Sequence, residues 1–142
     1  MTVFLPDLAS ASLVDMLRLH FDDGPYVPGF VGDAYRYFAS FVKTFPKKVI
    51  IYLFKTYPTY SFYKFDRKIV YALYPLSTLR TAVPTFVSEH DGQFNEFFTR
   101  DLAELTAESR KATLPALEQL ARAFVSSPRS AEVKKPRSRA KS

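Results

Sequence analysis

Apolar residues recur at helical spacing in four stretches of the chain. Over residues 1–23, Leu13, Met16, Leu17 and then His20 or Phe21 return every three or four positions, which predicts a short amphipathic helix capped by Asp7 or Ser10. The stretch GPYVPGFVG (24–32), punctuated by Pro and Gly, reads as a loop. A second helix is predicted over 33–44, with Tyr37, Phe38, Phe41 and Phe45 on one side and Pro46 at its end. A third is predicted over about 91–107, capped by Asp91, where Phe94, Phe98, Leu102 and Leu105 stack on one face with Phe97 beside them. Within it Glu96 precedes Arg100 by four residues, the favourable order for a helix ion pair. Thr113 is placed to cap a final helix over about 113–125, with Leu114, Leu117, Leu120, Ala121 and Phe124 on one stripe.

The middle of the chain, 47–75, follows neither period cleanly. It holds two six-residue apolar runs, VIIYLF and IVYALY, too short for periodicity to separate strand from helix. Their β-branched and aromatic residues lean to strand. The spacings Val49, Tyr52, Leu53, Thr56 and Ile69, Leu73, Leu76 lean to helix. The reading adopted is two short helices joined by YPTYSFY. The expected fold class is therefore mainly α: a small helical subunit, open to an extended shape, with an aromatic-rich middle and a basic C-terminal tail. The helical domain covers 1–125 and the tail 126–142.

Composition sharpens the middle and the end. The 142 residues include 14 Phe and 9 Tyr. Such rings supply either a core or an adhesive surface. In the aromatic segment Lys47, Lys48, Lys55 and Lys64 lie among Tyr52, Tyr57, Tyr60, Phe62 and Tyr63, with Arg67 and Lys68 close behind. Rings beside snorkelling lysines suit a lipid headgroup zone or the flank of a neighbouring subunit. The net charge of +6 is concentrated at the end, where Arg129, Lys134, Lys135, Arg137, Arg139 and Lys141 face the single acid Glu132. That tail suits acidic lipid headgroups, an acidic partner protein, RNA phosphates, or solvation alone. It has no interleaved aromatics for base stacking, so RNA is the less favoured partner.

Candidate chemistry is sparse. The absence of cysteine excludes disulfides, thiolate nucleophiles and Cys-ligated zinc. His20 and His90 stand apart with no ligand spacing around them, and His90, within Glu89-His90-Asp91, reads as a solvated loop residue. Asp22–Asp23 reads as a helix-ending turn. No phosphate-cradling loop or nucleophile elbow is present, so no enzyme activity, cofactor or metal is expected. No apolar run reaches the roughly 18–20 residues of a membrane-spanning helix, and MTVFLPDLASASLVDM resembles neither a secretory signal nor a transit peptide.

FNEFFTRDL (94–102) resembles the front signature of phosphatidylserine decarboxylases, in which Phe-x-Glu-Phe-Phe-x-Arg-x-Leu follows a helical membrane-associating region. The matching residues are Phe94, Glu96, Phe97, Phe98, Arg100 and Leu102. The chain then departs from that pattern. Arg110 is followed by Lys111 rather than Pro, and the family's histidines and Gly-Ser-Thr self-cleavage site have no counterpart. Without a pyruvoyl group there is no electron sink for decarboxylation. The resemblance therefore implies the helical front of a lipid enzyme without its reactive part. The expected role is a non-enzymatic accessory subunit of a large membrane-associated assembly, a mitochondrial inner-membrane respiratory complex or ATP synthase, contacting lipid and neighbouring subunits. The alternatives are a ribosome-associated protein that holds rRNA through its tail, and a decarboxylase front half that needs a separate catalytic chain.

Overall fold

The computed structural model describes residues 1–20, 26–65, 68–74, 83–89 and 92–124. Among them are four helices and six strands, so the fold is mixed α/β and the expectation of a mainly α chain is overturned. The chain opens with strand β1 (Thr2–Pro6) and continues through helices α1 (Ala11–His20) and α2 (Val27–Thr44) into β2 (Ile50–Phe54). Strands β3 (Tyr60–Phe65), β4 (Lys68–Leu73) and β5 (Thr85–Glu89) follow. Helix α3 (Gln93–Glu108), the short strand β6 (Arg110–Lys111) and helix α4 (Leu114–Ala123) complete the described chain.

The strands form two separate sheets, ordered β1-β2-β6 and β3-β4-β5. In the first, β1 runs parallel to β2, with Val3 opposite Ile51 and Leu5 opposite Leu53. Parallel neighbours need a long crossover, and α1 with α2 supplies it. β6 pairs antiparallel with β2, placing Arg110 opposite Leu53. Alternation then points Ile51 and Leu53 into a core shared with Leu13, Leu17, Tyr35 and Leu117 from α1, α2 and α4. Helices α2 and α4 approach closely at Gly32, where an added methyl group would collide with the carbonyl oxygen of Phe124. Arg36 donates from Nη1 to the Ala121 carbonyl at 3.1 Å and secures the end of α4.

Several expectations change here for identifiable reasons. VIIYLF is largely β2 and IVYALY largely β4, because side-chain burial alternates along both: Ile51 and Leu53 in one, Ile69 and Tyr71 in the other. Most of the presumed link YPTYSFY belongs to β3. Residues 27–32, read as a loop, are the first turns of α2. Pro28 is tolerated in the first turn, where no intrahelical N–H bond is lost, and Gly32 serves close packing rather than a bend. Residues 2–6 are strand, so the first helix starts only after Ser10. The last two helices lie where the periodicity put them, and Thr113 Oγ1 accepts from the Ala116 amide at 3.4 Å as the predicted cap.

Candidate interaction surface

The second half of the aromatic segment, β3 and β4, joins β5 in an antiparallel meander whose two faces are set by register. On one face Phe62, Tyr71 and Phe86 lie across from one another on β3, β4 and β5, beside Ile69. The other face carries the rows Tyr63–Val70–Val87 and Phe65–Lys68–Glu89. Helix α3 closes the first face with Phe98, whose ring centroid lies 4.9 Å from that of Tyr71, 5.2 Å from Tyr60 and 5.4 Å from Phe62. Ile69, Tyr71 and Phe98 are buried as a result. The second face is open, with Tyr63 66%, Phe65 62% and Val87 62% exposed.

FNEFFTRDL lies on α3 as expected, but its rings do not share one environment. Phe98 is buried and Leu102 half-buried, whereas Phe94 is exposed on one side, 5.6 Å from Tyr71 in a stacked arrangement. The expectation that Phe94 belongs to the buried side is corrected: α3 crosses a narrow sheet, and one ring is enough to fill the space beneath it. Phe97 is the exposed flank. Glu96 and Arg100 form the expected ion pair at 3.9 Å, with both side chains largely in solvent. Gly92, not Asp91, precedes the helix as its cap residue, and Asp91 lies outside the described residues.

The structure separates the lysines and rings that the sequence grouped. Lys47 and Lys48 are exposed in the turn between α2 and β2. Tyr52 stacks on Phe4 of β1 at 5.2 Å, on the first sheet. Lys55 is exposed beyond β2, and Tyr57 sits against the His20 ring at 4.7 Å. Burial, and then the neighbouring Tyr74, push the Tyr57 hydroxyl above its usual range. Tyr60 and Phe62 belong to the closed face, and only Tyr63 of the predicted rings faces outward from the meander. Lys64 donates to Thr99 Oγ1 at 3.1 Å and links β3 to α3. Of the predicted contact residues, then, Tyr63 remains on an open face, and Phe65 and Val87 join it. The tail residues Arg129, Lys134, Lys135, Arg137, Arg139 and Lys141, together with Arg67 and His90, lie outside the described residues.

A buried polar node escaped the sequence reading. Asp7, 1% exposed at the end of β1, accepts from Arg110 Nε at 3.0 Å and from Arg110 Nη2 at 3.2 Å. The Ala9 amide donates to the same carboxylate at 3.1 Å. Beside it the Tyr35 hydroxyl donates to the Pro6 carbonyl and accepts from the Leu8 amide. Burial, outweighing the Leu8 hydrogen bond, pushes the Tyr35 hydroxyl up to about 12. Both Asp7 oxygens are engaged within the protein, so the node ties β1, α2 and β6 together and presents no free base. The PDL sequence after an apolar strand was the available signal, since an Asx turn is one way to end a strand.

The described residues hold no cluster of His, Asp or Glu fit for a metal ion. A shallow hollow on the outer side of α3 is lined by Gln93, Glu96, Phe97, Arg100, Asp101 and Glu104 alone, with no opposing wall to enclose a substrate. The open sheet face offers exposed apolar area instead. Comparison with protein-family models, curated proteins and solved structures finds no match to this chain.

Proposed function

We propose that the protein is a non-enzymatic accessory subunit that docks through the open face of β3-β4-β5 against an apolar surface of a neighbouring subunit in a membrane-associated assembly. The observation that carries this reading is the exposure, on one sheet face, of Tyr63 and Phe65 on β3 and of Val87 on β5, with Val70 of β4 between Tyr63 and Val87. An antiparallel sheet facing water normally alternates polar residues outward, and apolar side chains on its outer face mark a contact surface. Tyr63 and Phe65 add ring area of the kind that dominates interface energetics. No helix among the described residues is long and apolar enough to cross a membrane. Attachment to the assembly is accordingly assigned to protein contact, with the basic tail against acidic lipid headgroups or an acidic partner. The resemblance of FNEFFTRDL to the front of a lipid enzyme directs the choice of assembly to the mitochondrial inner membrane.

Photocrosslinking in the native cell tests this directly. A benzophenone side chain at position 63 or 65 is expected to form an adduct with the same polypeptide that co-purifies with the chain. The same probe at Ser12, exposed on α1, should not. Recovery of the chain alone, without detergent or partner and without an adduct at 63 or 65, overturns the proposal.

A further inference from the structure

Among the described residues, strand β5 is an unguarded sheet edge. It bears one row of hydrogen bonds to β4, and the described residues contain no strand on its other side. Natural edges are blunted by lysine, proline, bulges or an inward-pointing charge. Within Thr85–Glu89 there is no lysine and no proline, and its pairing with β4 runs without a bulge from Thr85 opposite Ala72 to Glu89 opposite Lys68. Its charge is already answered, since Lys68 Nζ lies 3.5 Å from Glu89. Phe86 is 42% and Val87 62% exposed, so both sides of the strand near the edge are apolar. The opposite edge of the same sheet differs: β3 carries Lys64, held toward α3 by Thr99.

We infer that β5 pairs antiparallel with β5 of a second copy of this chain, forming a continuous six-stranded sheet about a two-fold axis at Val87. TFVSE is self-complementary in that register. Val87 faces Val87, Phe86 faces Ser88, and Thr85 faces Glu89, so no like charges oppose each other. The two Glu89 carboxylates end up about 13 Å apart, four residue rises along the strands, beyond the screening length of physiological salt. The two-fold also answers a problem of size. A face of three strands about 4.8 Å apart and about 17 Å long is small against the ~800 Å² that each partner contributes to a standard interface. Pairing at β5 leaves the side chains of the open face free and doubles its area.

Sedimentation of the purified full chain over a range of concentrations tests the inference. The wild type is expected to form a concentration-dependent dimer. Val87→Lys places two ammonium groups across the axis and should weaken the dimer more than about tenfold, as should Val87→Glu with two carboxylates. An equimolar mixture of the two variants should regain a dimer, a result that misfolding cannot imitate. Tyr63→Lys, on the same face but the opposite edge strand, should leave dimerisation unchanged. A wild type that stays monomeric at about 100 μM, where a pairing with a Kd of ~10 μM would be mostly dimeric, overturns the inference. So do unaltered dimers of Val87→Lys, failure of the mixture to associate, or dissociation by Tyr63→Lys. Crosslinking at 63 to another subunit reads the proposed docking function separately, and either result can stand without the other.

Discussion

Tyr35 and Tyr71 are both buried, one in each core, and their surroundings differ. Tyr35 is fully enclosed, and its hydroxyl both donates and accepts, fixing the turn after β1. Tyr71 is held by rings: Phe86 at 5.2 Å, Phe94 at 5.6 Å and Phe98 at 4.9 Å. The first core has eleven buried residues from three helices and two strands or their flanks, with a polar node that specifies its register. The second has three. Directional hydrogen bonds lock the first arrangement, while stacked rings tolerate small slips in the second. The thinner core therefore supports the open surface, and the thicker one supplies the anchor.

The sharpest way to break this contrast is Phe98→Ala. It removes the one ring that closes the second core and should cost about 3–5 kcal/mol. Hydrogen exchange should show the amides of β3, β4 and β5 losing protection while those of β1 and β2 keep theirs. Equal loss in both sheets would mean the cores are one cooperative unit.

The first core should respond instead to alkali. The Tyr35 hydroxyl titrates at about 12 when folded against 10.0 ordinarily. The folded state therefore holds that proton more tightly, so this stability is fully present below pH 10 and is lost as pH rises through 12. The loss should reach roughly 2–3 kcal/mol. Urea denaturation across that range should show it, and Tyr35→Phe should abolish that step.

Arg110→Met leaves the Asp7 carboxylate buried without its cation. Because Arg110 is 45% exposed, water offsets part of the cost, and about 1–2 kcal/mol is expected. Denaturant midpoints should report this as loss of the first core. Arg100→Ala marks the lower end of the scale. It removes only the exposed pair with Glu96, and thermal melting should register no more than about 0.5 kcal/mol.

Local signals were legible in the sequence and nonlocal ones were not. Helices α3 and α4 announced themselves because a helix closes its own hydrogen bonds and displays its stripe within a few residues. β2 did not, because a strand's identity depends on a neighbour and β2 borrows β1 from 48 positions earlier, as Thr2 opposite Ile50 shows; β4 pairs with the adjacent β3 and escaped because its six-residue apolar run fits either period. Gly32 misled for the same reason as β2, since the backbone that crowds it, at Phe124 just past α4, lies far along the chain. The Asp7–Arg110 pair spans 103 residues and had no local trace beyond the turn at Asp7. Of the open face, Tyr63 lay among the residues singled out in the sequence, but its separation from the closed face, and the addition of Phe65 and Val87, required the strand register.

The pairing of Leu53 with Arg110 also bears on how such a chain could be assembled. Every buried residue of the first core lies at or before Leu53 or at and after Leu117, and every buried residue of the second lies between Ile69 and Phe98. The meander and α3 thus leave the first sheet from β2 and return beside it at β6. In topological terms one unit is a guest threaded into the other at a single doorway. A short turn closing β2 directly onto β6 would delete the guest while sparing the host's buried side chains. The same doorway would admit a different guest, so the surface and its anchor can be exchanged as separate parts.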